Sequence, residues 1–359
     1  MIKERLVKLR KVLNTNNIDG ILISQPENRY YLSGFSGSDG YLLITNQESI
    51  IVVDFRYIEQ VKKQSPDFTI FEIKGKMSDW FPKLLEGQGI SKLGFESTAI
   101  SFAQYKELSE ILADFKPQIE LIPFQKMAEN VRTIKEPDEI EKIRKASEIS
   151  DGAFEYVTDR LKVGTTEKQL AWDLEKHMRE HGSQTLPFEI IIGAGPNGAL
   201  PHAHPSDRPI AAGEPVVIDM GAKFEGYASD LTRTICIGKP DDTFKKIYDI
   251  VLRAQETAIN GIREGMSALE VDSLARNVIK NAGYADKFGH GLGHGVGLAV
   301  HDTAPRLNTI TDDVLVNGMV FSIEPGIYLP EWGGVRIEDT VTLENGKVKL
   351  LSHAKKMAV

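Results

Sequence analysis

Acidic residues and histidines recur in this chain at spacings that would bring them together. The segment PVVIDMGAKFEGYASDLTRT reads as strand, tight turn and strand, with Asp219 and Asp230 eleven residues apart. A reversal between Phe224 and Glu225 would set these two carboxylates opposite one another across a hairpin. Like charges so placed are destabilising unless a cation lies between them, so the pair points to a metal ion rather than to a solvated face. A second strand pair repeats the arrangement. MVFSIEPGIY ends its strand at Glu324, a loop containing Trp332, Gly333 and Gly334 follows, and VRIEDTVTL returns. Glu324 and Glu338 would meet across this pair as the aspartates do, and Arg336, two residues before Glu338, shares its strand face.

Between the acidic pairs lies GHGLGHGVGLAVHD, with glycine at 289, 291, 293, 295 and 297. So many glycines exclude a stable helix, each costing about 1 kcal/mol relative to alanine. As an extended segment it has one bare face, open to close backbone approach, and one face carrying His290 and His294. His301 follows seven residues after His294. Four carboxylates and an imidazole form an oxygen-rich donor set, suited to Mn²⁺, Co²⁺ or Fe²⁺ and less typical of structural zinc. The ligand count implies two ions, and ions roughly 3.5–4 Å apart lower the pKa of a shared water and stabilise the oxyanion formed when it attacks a carbonyl. That chemistry is hydrolytic. Gly193, Gly195 and Gly198 satisfy the dinucleotide pattern GxGxxG, but the prolines at 201 and 205 bar the helix that nucleotide binding requires.

The rest of the chain must position these groups. At 359 residues, with 41% hydrophobic and 26% charged content, two globular domains are expected. A net charge of −8 provides no basic footprint for nucleic acid. The single cysteine, Cys236, sits in an apolar run and reads as a buried structural thiol. No apolar run is long enough to span a bilayer and the N-terminus reads as an amphipathic surface helix, so a cytoplasmic protein with no membrane partner is expected. Residues 1–124 alternate helical and strand-like patterns around Gly20–Ile23, Tyr41–Ile44 and Ser49–Asp54, as in an α/β domain. Residues 125–135 read as a linker, and a second domain, 136–359, opens on a helix after Pro137. Sliding this domain by 101 residues aligns Gly164 with Gly265, Thr166 with Ser267, Leu170 with Val271 and Gly182 with Gly283. In both copies a Thr or Ser caps a helix that a glycine closes, which points to two related halves with a site between them.

Asp219, Asp230, His294, Glu324 and Glu338, with GHGLGHGVGLAVHD and SIEPGIY, resemble the metal-ligand pattern of the prolidase and aminopeptidase P family. ENRYYLSGFSGSDGYLLIT and VVDFRY resemble its creatinase-like N-terminal domain, so nearly the whole chain is covered. The resemblance implies an α/β N-terminal domain followed by an α+β pita-bread catalytic domain with an internal pseudo-two-fold repeat. It implies two divalent ions, Mn²⁺ first and Co²⁺, Fe²⁺ or Zn²⁺ as alternatives, bound by those five residues. Glu324 would double as proton shuttle. His202, seventeen residues before Asp219 in a Leu-Pro-His context, would act with His301 and Arg336 on substrate or transition state; His290 joins the substrate-binding group. The implied partner is a small peptide with proline second, and the implied assembly a homodimer. Cleavage of Xaa-Pro dipeptides is expected, with aminopeptidase P action on longer peptides as the alternative and a non-catalytic peptide-binding protein as the remote one.

Overall fold

The computed structural model describes residues 1–358 and divides into two compact units, Met1–Arg132 and Thr133 onward. In the first, the helix Ile2–Thr15 buries Leu6, Leu9 and Leu13 on one stripe, as their spacing requires. A six-stranded mixed sheet runs in the order Thr69–Glu72, Ser49–Val53, Tyr41–Thr45, Gly20–Ile23, Lys92–Glu96, Glu120–Phe124. The stretch expected as a linker contains the helix Met127–Arg132, which belongs to the first unit. Met127 and Ala128 are buried, and Arg132 Nη1 donates to Asn28 Oδ1 at 2.6 Å. A short amphipathic turn after a strand resembles linker composition, and its anchoring arginine is not visible as such in sequence. No described helix is long and apolar enough to cross a membrane.

In the second unit the repeat is visible in detail. Helices Glu167–Glu180 and Ala268–Asn281 begin and end 101 residues apart. Thr166 and Ser267 each accept from the third helical residue, Gln169 or Glu270, whose side chain returns to the cap's own N–H. This reciprocal cap satisfies helix-start donors that otherwise lack partners. Gly164 and Gly265 precede the caps at φ +92° and +85°, a region that disfavours any other residue. Each helix pair packs on its own sheet. Leu170, Leu174 and Met178 meet Ile192, Val216 and Ile218 in one core, and Val271, Ala275 and Ile279 meet Phe321, Ile323 and Val341 in the other.

The first sheet orders its strands as Leu231–Cys236, Pro215–Met220, Ile191–Ala194. The second runs Asp302–Leu307, Gly293–Gly295, Val320–Ile323, Asp339–Glu344, Lys347–Leu350. Its glycine-rich strand lies between two neighbours, and the bare face serves this packing: a Cβ on Gly293 would collide with the Ser322 carbonyl oxygen, and one on Gly295 with that of Ala304. Gly289 has nothing within 4 Å of the same position. Gly293→Ala is therefore expected to lose about 1–3 kcal/mol or more of stability through overpacking, while Gly289→Ala stays near wild type. Chemical denaturation of both variants measures this, and equal midpoints would contradict the packing role.

Candidate metal centre

Asp219 lies near the end of the strand Pro215–Met220, but its cross-strand partner is Thr232, not Asp230. The chain reverses at Glu225-Gly226, with φ +44° and +85°, so Phe224 pairs with Tyr227. Two positive φ values define the mirror-type turn that matches strand twist, and this places the reversal later than the sequence reading did. Asp230 falls between the strand segments Tyr227–Ala228 and Leu231–Cys236. Its backbone is clamped by Thr340, whose hydroxyl donates to the Asp230 carbonyl at 2.7 Å and accepts its N–H at 3.2 Å.

In the other half, the register that pairs Ile323 with Asp339 and Gly326 with Arg336 sets Glu324 opposite Glu338. Thr232, two residues past Asp230, donates its hydroxyl to Glu338 Oε2 at 2.6 Å. Thr340, two residues past Glu338, holds Asp230. The threonines thus exchange contacts between the halves. Ser322 Oγ donates to Glu324 Oε1 at 3.1 Å and accepts the His294 N–H at 3.1 Å. His294 Nε2 stands 3.5 Å from Asp230 Oδ2 and 3.4 Å from Glu324 Oε1.

These groups share a cleft of about 900 Å³ in the second unit, lined also by His202, His290, His301 and Arg336 and by an apolar wall of Phe188, Ile190, Ile191 and Ala199. Burial, followed by the charges of Glu338, Asp219 and Glu324, pushes the Asp230 carboxyl well above its ordinary range. Glu338 is raised likewise by burial and then by Glu324 and Asp219, and Glu324 is raised chiefly by burial. Burial lowers the imidazoles of His290, His294 and His301, favouring the neutral form that ligates metal.

Arg336, expected to reach substrate, lines the cleft and is buried, with its fork turned to the site's own groups. Nη2 pairs with Asp219 Oδ2 at 2.6 Å, Nε donates to Thr232 Oγ1 at 3.1 Å, and Nη1 donates to Tyr328 Oη at 2.9 Å and the Pro201 carbonyl at 3.3 Å. Tyr328, which the sequence reading did not single out, also meets His290 Nε2 at 2.9 Å. A chain thus runs from His290 through Tyr328 and Arg336 to Asp219. Strand alternation from Glu324 through Gly326 to Tyr328 carried that signal. His301 packs at a tilt of 54° against His294, ring centroids 4.3 Å apart, on a loop pinned by the buried Lys135–Asp302 pair at 3.4 Å. His202 and His204 are both exposed and both line the cleft; His202 contributes to the lowering of His301, and His204 reaches Glu189 Oε2 at 3.2 Å.

A cation fits this donor set. Asp219 Oδ1 and Glu338 Oε1 are buried oxygens without a hydrogen-bond partner, and buried acceptors are normally satisfied. Donor atoms of Asp230, His294 and Glu338 lie within 4.8 Å of one another.

Residues 141–345 match the metallopeptidase family M24, and residues 5–134 match the creatinase/prolidase N-terminal domain. The chain is 40% identical over 354 residues to the Xaa-Pro dipeptidase of Pyrococcus furiosus, covering 97% of this chain and 98% of that one. The Xaa-Pro dipeptidase from Bacillus anthracis superposes with a TM-score of 0.96 at 37% identity, over 100% of this chain and 99% of that one. The X-Pro aminopeptidase from Thermotoga maritima does so with a TM-score of 0.88 at 35% identity, over 97% and 99%. A two-domain architecture of this kind, with a pita-bread unit that buries paired carboxylates between its halves, defines a metal-dependent hydrolase. The chain belongs to metallopeptidase family M24.

Elevated carboxyl pKa values mean that the folded, metal-free protein holds protons the unfolded chain has lost at the same pH. That contribution is complete below the ordinary carboxylate pKa of about 4 and is lost as pH rises through the raised folded values of Asp230, Glu324 and Glu338. In chelated protein at pH 7, Asp230→Asn is therefore expected to raise Tm by about 2–4 °C, the shift that ~1 kcal/mol produces at this size. With metal added the order should reverse. Calorimetry in both conditions decides, and a lower Tm for the metal-free variant would remove charge crowding as a feature of the site.

Proposed function

We propose that this chain hydrolyses the Xaa-Pro bond of dipeptides with two divalent ions held by Asp219, Asp230, His294, Glu324 and Glu338. The observation that carries the reading is the convergence of these five donors, from both halves of one unit, on a cleft of about 900 Å³. Bound ions would supply an activated water and polarisation of the scissile carbonyl. Glu324, on the cleft wall, accepts the proton that water loses and returns it to the departing proline nitrogen. His202 and His301, on the cleft wall, donate to the carbonyl oxygen as it gains charge. Arg336 and Tyr328 keep Asp219 and His290 in place. Mn²⁺ suits the oxygen-rich set, with Co²⁺, Fe²⁺ or Zn²⁺ as alternatives. An Xaa-Pro bond has no N–H and a fixed ring, so a cleft with an apolar wall selects it by shape without supplying an acceptor.

Two similar proteins are named Xaa-Pro dipeptidases, which favours dipeptide substrates. The similar X-Pro aminopeptidase supports longer peptides as the second reading. The single cysteine suits a cytoplasmic setting, and the reading includes a homodimer, which light scattering tests.

Chelation is expected to abolish peptidase activity, and Mn²⁺ or Co²⁺ to restore it at about two ions per chain; full turnover in metal-free protein would refute the assignment. With Mn²⁺ present, kcat/KM should be higher for an Xaa-Pro dipeptide than for the matching Xaa-Pro-Yaa tripeptide, and the opposite order selects the aminopeptidase. His202→Ala should lower kcat/KM by roughly 10²-fold while His204→Ala is far milder, an ordering the same assay checks.

A further inference from the structure

The wall that carries His202 is a loop, residues 195–205, between the strand Ile191–Ala194 and Ser206. It opens with the 3-10 turn Gly195–Ala199 and contains prolines at 196, 201 and 205, which donate no backbone hydrogen bond. Both ends of this loop meet at one carboxylate. Glu167, first residue of the helix Glu167–Glu180, is fully buried. Its Oε1 accepts from the Ala194 N–H at 2.8 Å and Asn197 Nδ2 at 3.0 Å. Its Oε2 accepts from the Ser206 N–H at 3.0 Å, Ser206 Oγ at 2.6 Å and Asn197 Nδ2 at 3.1 Å. All four donor groups are neutral.

The internal repeat isolates what this side chain adds. The equivalent residue 101 positions later is Ala268. Its N–H bonds to the Asp313 carbonyl at 2.7 Å, as that of Glu167 bonds to the Arg208 carbonyl at 3.2 Å. The bridges Thr166–Pro209 and Ser267–Val314 also correspond. Both helices are capped by the residues before and after this position, so capping does not require the glutamate. The nearby Arg208 guanidinium bonds Glu214 rather than Glu167, and burying a carboxylate held only by neutral donors is unfavourable unless its hydrogen bonds are needed where they fall. They fall on the ends of the histidine loop, and only in the half that carries it.

We propose that Glu167 is a positioning residue for His202, closing the 195–205 loop at both ends so that the imidazole stays on the cleft wall. This role rests on the peptidase reading above. The test uses the full-length, Mn²⁺-loaded protein with Glu167→Gln and, as a change that leaves the helix intact, Asn197→Ala. Hydrogen exchange in residues 195–205 should rise about tenfold or more in both, with residues 168–180 unaffected. Values of kcat/KM on an Xaa-Pro dipeptide should fall roughly 10–100-fold at unchanged metal content, as a displaced catalytic group implies. In a His202→Ala background the same substitutions should change kcat/KM by less than about twofold, because the residue they act through is gone. Unchanged exchange in the loop, or equal losses in both backgrounds, would overturn the proposal. An inactive wild type would instead sink the peptidase reading, and the exchange measurement would still decide whether Glu167 orders the loop.

Discussion

Four carboxylates that repel one another are gathered in a cleft, and much of the polar structure around them serves to make that tolerable. Two unit charges of like sign about 4 Å apart repel by roughly 4 kcal/mol at an effective dielectric near 20. That is a large part of the net stability of an ordinary domain, so the cluster needs help from its surroundings. Burial of Asp230, Glu324 and Glu338 raises their affinity for protons when no cation is present. One guanidinium, Arg336, offsets Asp219 directly. The hydroxyls of Thr232 and Ser322 donate to Glu338 and Glu324. None of these leaves the oxygens unable to bind a metal, since Asp219 Oδ1 and Glu338 Oε1 remain without a donor.

The two halves of the catalytic unit supply this arrangement in parallel. Each gives a carboxylate near the end of one central strand and another at the start of the next. The separation grows from 101 residues at the helices to 105 between Asp219 and Glu324 and 108 between Asp230 and Glu338. Added loop residues are thus accommodated outside the strands while the acids stay in matching places. Thr232 and Thr340, each two residues past a carboxylate, cross-link the halves at the level of the site. Arg233 does the same one residue on, donating to Asp339 Oδ1 at 2.7 Å deep in the unit. Such buried pairs hold geometry more than they add net stability.

Much of this was legible from residue spacing. The helix repeat, the Glu324–Glu338 pairing and the bare face of the glycine strand follow from period and propensity, which act locally. The Asp219–Asp230 pairing did not, because moving a turn by one residue shifts every pair across a hairpin, and only the φ values at Glu225 and Gly226 fix its place. The helix Met127–Arg132 was hidden because a partner that anchors it, Asn28, lies far away in the sequence. Arg336 and Tyr328 show the limit most clearly. Alternation correctly aimed Arg336 at the cleft, but which of several acceptors its fork would meet depends on residues from Pro201 to Tyr328 that only the folded chain assembles.

The strand Gly293–Gly295 and its flanks leave almost no position open to drift. Gly291, Gly293 and Gly295 are enclosed by neighbouring backbone, and the alternate positions are taken by His290 and His294, which face the cleft, and by the buried Leu292 and Val296. Natural or laboratory variation in which peptides are accepted therefore has to arise elsewhere on the rim. The turn near Arg306 and Asn308 is a surface where sequence can change while the chemistry is kept.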